Sequence, residues 1–401
     1  MLQTVTIRRF IFAILLCLLV LLSSSIVKNN KKLIQTTHLH IHLKPKFLES
    51  ASPAVPRCQP IKNVVFIKTH KTGSSTIANI MFRFGLRHNL NFALPNTKLY
   101  TIDFNYMSKP GEVMTLDFFY PLPDNQEYNI LAHHSIYNRT FYHQVMPKNT
   151  TYISILREPF AQMVSTYEYY RFENKFVSMS PERFNASNPI SSFMENPYIY
   201  TQSGTNFTYM RNKQAQDLGF MQEHLEPSKF KEYIDILDKD FDLIMILEYF
   251  DESLLILKHQ LCWELKDILY IPVNQNIRKR KWPSTDEDRA NHKKFSPIDY
   301  TLYNHFLSKF TNLLSIQKAE FFQELKYFRT ILKEVRFNCM FGRTFTVQAT
   351  KWHGVFNFTN QDCELSNMRF RQAVGLLYSR SNIPNYKNAH KLIEREGIYN
   401  I

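Results

Sequence analysis

The chain has 401 residues, 44% hydrophobic and 14% aromatic, which is enough to bury one large core and excludes a collagen-like or wholly disordered chain. Its formal net charge of +14 favours anionic partners such as nucleotides, nucleic acid or anionic membrane surfaces, without choosing among them.

Residues 1–9 are short and basic, and 10–27 then run FIFAILLCLLVLLSSSIV without a charge, about the length that spans a bilayer core. We read 1–9 as a cytoplasmic tail and 10–27 as a transmembrane signal anchor. A cleaved signal peptide leaving at Ser23 to Ser25 is the competing reading, disfavoured because the apolar run exceeds the usual h-region of about 7–15 residues. Arg8 and Arg9 face Lys28, Lys31 and Lys32 across the segment, so the charge rule gives little direction. Either way, the remainder is expected in the secretory lumen.

Residues 28–60 are polar and basic, with Pro45, Pro53, Pro56 and Pro60, and read as a lumenal stem. HLHIH at 38–42 resembles a metal tract, but no further ligand cluster accompanies it, so stem or short strand is the better reading. Of five Cys, Cys17 lies in the apolar segment, leaving Cys58, Cys262, Cys339 and Cys363, which permit three pairings. Cys339 with Cys363 is preferred, being local and late in the chain. No CxxC occurs, which argues against structural zinc. Glycosylation sequons stand at Asn138, Asn149, Asn185, Asn206 and Asn357.

From residue 61 short apolar runs precede amphipathic stretches. Val64 to Ile67 reads as a buried strand, and Ile77, Ile80, Met81 and Phe84 mark the face of the helix that follows. YNILAHH at 128–134 is a further strand candidate. Tyr152 to Leu156 precedes a helix opened by Pro159, and Phe241 to Leu247 precedes DESLLILKHQLCWEL, which opens on acidic residues as helices do. Strands alternating with helices predict an α/β fold, a P-loop-like parallel sheet with helices on both faces, over 61–334. Residues 174–240 read as loop and helix insertions beside the sheet. The basic run within 278–294 reads as a solvated face, against a role in holding an anionic substrate or lipid surface. Residues 335–401 look less regular and are assigned as a C-terminal extension packed on the catalytic domain.

KTHKTGSST, 68–76, poses the chemical question. A Walker A loop needs GxxxxGK[ST], whereas here Lys71 precedes Gly73 and no Gly stands five residues before it, so the ATP reading fails. What remains is a strand, a turn with Lys71 and Gly73, and a helix opening on Ser74, Ser75 and Thr76. Backbone N–H groups, hydroxyls, a helix dipole and a Lys suit a terminal phosphate. Taken alone, the stretch leaves an N-cap without a ligand as the lesser reading. ILREPFAQMVSTY, 155–167, tips the balance: Arg157 ends a strand where it can fork onto a phosphate, and Ser165 can add a hydroxyl bond from the helix behind it. Ligands of open α/β sheets bind at that carboxyl edge. Two anion sites fit a nucleotide with phosphates at both ends of its ribose.

KTHKTGSST followed by FRFGLRHNL, then LREP with Ser165, QDLGF at 216–220 and LEYFDESLLILKHQLCWELKDILY at 247–270, together resemble the Golgi carbohydrate sulfotransferases. The likeness is specifically to the galactose 3-O-sulfotransferase family, which includes galactosylceramide sulfotransferase, and it covers roughly 60–275. It implies transfer of a sulfuryl group from 3′-phosphoadenosine 5′-phosphosulfate (PAPS) to the 3-hydroxyl of a terminal galactose, on a glycolipid or a glycoprotein glycan. By similarity Lys71, Thr72, Gly73, Ser74, Ser75 and Thr76 cradle the 5′-phosphosulfate, and Arg157 with Ser165 holds the 3′-phosphate. Family members carry Arg-Asp-Pro where this chain has Arg157, Glu158 and Pro159, a swap that keeps the charge.

In-line transfer needs a base for the hydroxyl and a cation at the leaving oxygen. A His suits the first near neutral pH, and Lys71 the second. His134, at the end of its strand, is the preferred base and His70 the alternative, while alternation turns His133 away. Asp217, Gly219, Glu248 and Asp251 are read as helix-capping and turn residues rather than acceptor contacts. No metal and no nucleic acid are expected. The expected setting is a single-pass type II Golgi membrane protein, with a homodimer left open. The rivals are a uronyl 2-O-sulfotransferase and a catalytically silent lumenal protein that keeps the nucleotide fold. YFDESLLILK argues against the first, and retention of Lys71 and the histidines against the second.

Overall fold

Four runs of buried aliphatic residues build the centre of the fold. They are β1 (Val64–Ile67), β2 (Ile130–Leu131), β3 (Thr151–Leu156) and β4 (Leu243–Ile246), all but one of whose residues are buried. Strands apolar on both faces belong to a parallel sheet covered on both sides, and the four pair in parallel in the order β2-β1-β3-β4. Val64 registers with Ile130 and Thr151, and Ile153 with Leu243, so all four carboxyl ends open on one edge. The computed structural model describes residues 58–96, 107, 114–180, 182–201, 207–221, 226–272 and 282–380. The predicted tail, anchor and stem up to residue 57, the sequon at Asn206, the basic residues 278–281 and the end of the chain from 381 lie outside them. Among the described residues no helix is long and apolar enough to cross a membrane.

Each strand leads into helix. After β1 comes α1 (Ser74–Arg87), after β2 comes α2 (Arg139–Val145), and after β3 comes α3 (Pro159–Tyr170). Pro159 opens α3, and the Glu158 carboxylate caps it by accepting from the N–H groups of Phe160, at 3.1 Å, and Ala161, at 2.7 Å. Two short helices, α4 (Phe172–Met179) and α5 (Pro189–Glu195), and the turn α6 (Pro197–Tyr200) follow. With α3 they enclose a second apolar cluster of Phe160, Met163, Tyr167, Phe176 and Phe193, so this insertion carries its own core. Then come α7 (Lys213–Asp217), α8 (Pro227–Asp240) before β4, and α9 (Phe250–Leu261) and α10 (Leu265–Ile268) after it.

The predicted strand 128–134 is shorter in the structure. Asn91 and Asn129 tie the chain before it, with Asn129 Oδ1 accepting from Asn91 N at 2.9 Å, and the Met107 N–H takes the His134 carbonyl beyond it. His133 and His134 therefore stand past the ladder.

The last third is more regular than the sequence suggests. It runs α11 (Asp286–Phe295), α12 (Pro297–Ser315), α13 (Ala319–Met340), the antiparallel pair β5 (Phe345–Val347) and β6 (Phe356–Phe358), α14 (Asn360–Asn367) and α15 (Phe370–Arg380). The boundary drawn at 334/335 falls inside α13, whose apolar face continues through Val335 without a break. α14 and α15 pack on α1, and Val374 and Tyr378 join the sheet's core. Cys339 bonds Cys363, the preferred pair, and Cys58 bonds Cys262.

Candidate active site

The loop leaving β1 is buried and internally braced. Lys71 adopts φ 61° and Gly73 φ 78°, and a Cβ on Gly73 would fall 2.7 Å from Leu247 Cδ1, so the turn into α1 requires glycine. The Thr69 hydroxyl donates to the Ile155 carbonyl of β3. Thr72 Oγ1 lies 2.8 Å from Thr69 Oγ1, and Ser74 Oγ donates to the Thr69 carbonyl at 2.6 Å. The hydroxyls of Thr72 and Ser74, expected to face an anion, are thus turned inward to hold the loop. Thr76 is buried and Ser75 half-buried. What the loop offers outward is backbone: the N–H groups of Gly73, Ser74 and Ser75 precede the first helical acceptor and have none among the described residues.

Two cations meet beside this helix start. Lys71 Nζ lies 3.7 Å from the centroid of Tyr169, and burial followed by the neighbouring Arg157 pushes its pKa down to about 8. Arg157, at the carboxyl end of β3, donates from Nη1 to the Lys71 carbonyl at 3.1 Å, and burial lowers its pKa too. Among the described residues neither cation has a carboxylate within ion-pair distance. Ser165 stands further along α3, half-buried, and makes no hydrogen bond to Arg157.

The two candidate bases stack. His70 and His134 lie with ring centroids 4.0 Å apart and planes 23° from parallel. His134 Nδ1 is 2.8 Å from the Lys68 carbonyl, an acceptor only, so Nδ1 carries the proton and Nε2 is the basic nitrogen. His70 Nδ1 is 2.7 Å from Asp217 Oδ2, which fixes the same tautomer. Burial pushes His70 down to about 4, against the pull of Asp217 and with the push of Lys213 and Lys68. Burial, Lys68 and His70 hold His134 well below the ordinary value. Both rings are therefore neutral near pH 7. His133 turns away, as alternation predicts, and packs against Phe82 and Phe370.

Sequence reasoning missed the element that holds this arrangement. Asp217, read as a cap or turn residue, accepts from both the backbone N–H of His70, at 2.8 Å, and its ring. It is also ion-paired to Lys213 at 3.0 Å, one turn earlier on α7. Burial would raise the Asp217 pKa, but His70 and Lys213 bring it below the usual carboxylate range. Between them Gln214 accepts from Arg157 N at 2.8 Å and donates to Arg157 O at 3.0 Å. One short helix thereby grips both the His70 loop and the Arg157 loop. Gly219, at φ 90°, lets the following turn close on Tyr137, where a Cβ would meet the Tyr137 carbonyl at 2.4 Å. The i, i+4 spacing of Lys213 and Asp217 was the available signal, but spacing does not say which loop a carboxylate meets.

Lys68, also unassigned from sequence, is buried with Nζ 3.8 Å from the Phe370 ring. Glu248 and Asp251, read as capping or turn residues, make tertiary contacts instead. Glu248 accepts from the Glu158 N–H at 2.9 Å and the Tyr303 hydroxyl at 3.1 Å, and Asp251 binds Tyr270 and Arg329. At one edge of a parallel sheet, then, stand Lys71, Arg157 and helix N–H groups, which have no acceptor among the described residues, beside a pair of oriented neutral imidazoles. That combination can hold an anionic donor next to a proton acceptor.

Comparison with known proteins agrees with this chemistry. The chain is 33% identical over 271 residues to galactosylceramide sulfotransferase of Homo sapiens, covering 67% of this chain and 61% of that protein. It is 33% identical over 250 residues to galactose-3-O-sulfotransferase 2 of Sus scrofa, covering 62% and 60%. Against galactose-3-O-sulfotransferase 3 of Homo sapiens it is 33% identical over 268 residues, covering 63% and 59%. The match thus spans less than two thirds of each relative's length. A family model described as galactose-3-O-sulfotransferase matches residues 1–354, and the chain belongs to that family.

Proposed function

We propose that this protein is a PAPS-dependent sulfotransferase that moves a sulfuryl group to the 3-hydroxyl of a terminal galactose on a glycolipid or glycoprotein glycan. The observation that carries the reading is the convergence of Lys71, Arg157, the start of α1 and the His70–His134 pair on one sheet edge. Two part-buried cations with no carboxylate at ion-pair distance among the described residues fit an anionic donor with two charged ends. When bound, the donor supplies a sulfuryl group carried on a phosphate leaving group.

Each residue then has a physical task. Lys71 and the N–H groups of Gly73, Ser74 and Ser75 hold the sulfate-bearing end, where Lys71 neutralises charge growing on the leaving oxygen. Arg157 holds the 3′-phosphate, and Ser165 of α3 adds a hydroxyl bond to it. His134, the less buried of the two rings, takes the sugar hydroxyl proton on Nε2, and its Nδ1–H on the Lys68 carbonyl keeps that nitrogen basic. His70, fixed by Asp217, backs the His134 ring and keeps it in place.

The test is transfer of labelled sulfate by the full-length chain to galactosylceramide, lactosylceramide, N-acetyllactosamine and heparan. Transfer to a galactoside is expected, and transfer to none of them overturns the proposal. Lys71→Ala and His134→Ala are each expected to lower turnover by roughly 10²–10³-fold. Near-normal turnover in His134→Ala with loss in His70→Ala would move the base to His70. Any shortened chain must keep Cys58, because it bonds Cys262. We place the protein in the Golgi membrane with its catalytic part lumenal. Its two disulfides support an oxidising compartment, and protection from added protease in sealed vesicles tests the orientation.

A further inference from the structure

A row of tyrosines leads from the phosphate loop to the histidine pair. Tyr169, 59% exposed, lies under the Lys71 ammonium. Its ring meets Tyr170 edge-on at 5.0 Å, and Tyr170 meets Tyr209 at 4.8 Å. Tyr209 in turn stands against His70 at 5.5 Å, with the planes 76° apart. Two different segments contribute these rings: the C-terminal turn of α3, and a tight turn in which Thr208 and Arg211 exchange backbone hydrogen bonds at 2.9 and 3.1 Å. Lys213 Nζ, 5.0 Å from the Tyr209 centroid, ties that turn to α7. Tyr170 and Tyr209 remain half-buried rather than sealed in the second core.

Resting on the sulfotransferase reading above, we propose that Tyr170 and Tyr209 form the platform on which the acceptor sugar lies, selecting galactose by its apolar face. A pyranose with an axial hydroxyl at C4 gathers the hydrogens of C3, C4 and C5 on one side, and such a patch packs on an aromatic face. The hydroxyl at C3 borders that patch, so a sugar seated on Tyr209 brings it to the histidine end of the row. The other end of the row returns to the same loop, where Tyr169 lies under Lys71, the residue next to His70, so the donor is held beside that hydroxyl. The donor and acceptor therefore meet along one line of rings, and rigid aromatic side chains lose little entropy in holding a sugar.

The test measures KM separately for acceptor and donor in the full-length chain carrying Tyr209→Leu or Tyr170→Leu, with Phe337→Leu, an exposed ring on α13, as the control. Each tyrosine change is expected to raise the acceptor KM by roughly tenfold while the donor KM stays within about twofold, the scale of one lost aromatic contact. Tyr209→Phe, which keeps the ring, is expected to recover most of that loss. An unchanged acceptor KM overturns the platform, and an equal rise in donor KM assigns the rings to the nucleotide instead, which also overturns it. If the leucine variants do not fold, saturation-transfer NMR on the wild-type chain with methyl β-galactoside and adenosine 3′,5′-bisphosphate decides. Stronger saturation of H3, H4 and H5 than of the methyl group supports the platform, and equal saturation refutes it. A wild-type chain that sulfates no galactoside refutes the sulfotransferase reading itself, a result distinct from all of these.

Discussion

Replacing His133 by Leu isolates a proton-linked cost that the fold carries near its candidate site. The His133 side chain is fully buried, neither ring nitrogen has a hydrogen-bond partner among the described residues, and its neighbours include the rings of Phe370, at 5.1 Å, and Phe82, at 6.1 Å. Burial, with Lys68 nearby, pushes its pKa from 6.5 to about 3. A depressed histidine binds fewer protons folded than unfolded, so stability is lost as pH falls below 6.5 and continues to fall until about 3. At about pH 5 the unfolded chain is favoured by about 1.5 pH units at about 1.36 kcal/mol each, or about 2 kcal/mol. His133→Leu abolishes that difference, and at neutral pH it also removes two unmade hydrogen bonds, which cost more when buried than an apolar group of similar size. Urea unfolding of both chains at about pH 7.5 and pH 5 measures it. The variant's advantage should grow by about 2 kcal/mol on acidification. His70, His292, Asp267 and Asp299 also titrate abnormally, but they are common to both chains and cancel in the difference. An advantage that does not change with pH refutes the reasoning, because it means that His133 finds a proton partner when folded.

Other consequences follow from the way α7 grips the site. Asp217→Asn leaves the Lys213 ammonium buried without its anion and His70 without a fixed tautomer; thermal unfolding should show a loss of about 3 kcal/mol, and turnover should fall by at least about tenfold at neutral pH. Gln214→Ala removes both bonds to the Arg157 backbone, so the donor KM should rise by roughly tenfold with the acceptor KM little changed, as steady-state kinetics with each substrate varied would show. The bond between Cys58 and Cys262 closes a loop across 204 residues, so the paired change to Ser should lower stability by about 5 kcal/mol in calorimetry, more than loss of Cys339–Cys363, which spans 24.

Much of the frame is written locally in the chain. VVFI, TYISIL and LIMI are apolar on both faces, so they belong in the middle of a covered sheet whatever surrounds them. Gly73 before three hydroxyl residues and Pro159 after Arg157 mark helix starts by backbone chemistry alone. These local rules place Lys71 and Arg157 at strand ends, and parallel pairing then brings the strand ends together. The same rules misjudge what lacks a local signature. The hydroxyls of Thr72 and Ser74 look outward in sequence but have the Thr69 segment within reach, and a carbonyl 2.6 Å away captures Ser74. The start of the YNILAHH stretch is taken up by the Asn129 side chain, which accepts from the backbone N–H of Asn91, a residue whose position beside it no periodicity reports.

The sequence by itself determined the parallel α/β sheet, the loop with Lys71 ahead of its glycine, Arg157 at the next strand's end and the family likeness, because each depends on neighbours within a few residues. Only the tertiary structure decided that Asp217 orients His70, that Gln214 holds Arg157, that His70 stacks on His134 and that Tyr209 joins Tyr170 beside them. Those partners come from segments tens to more than a hundred residues apart. Their meeting is set by how those segments pack against one another, which no local pattern encodes.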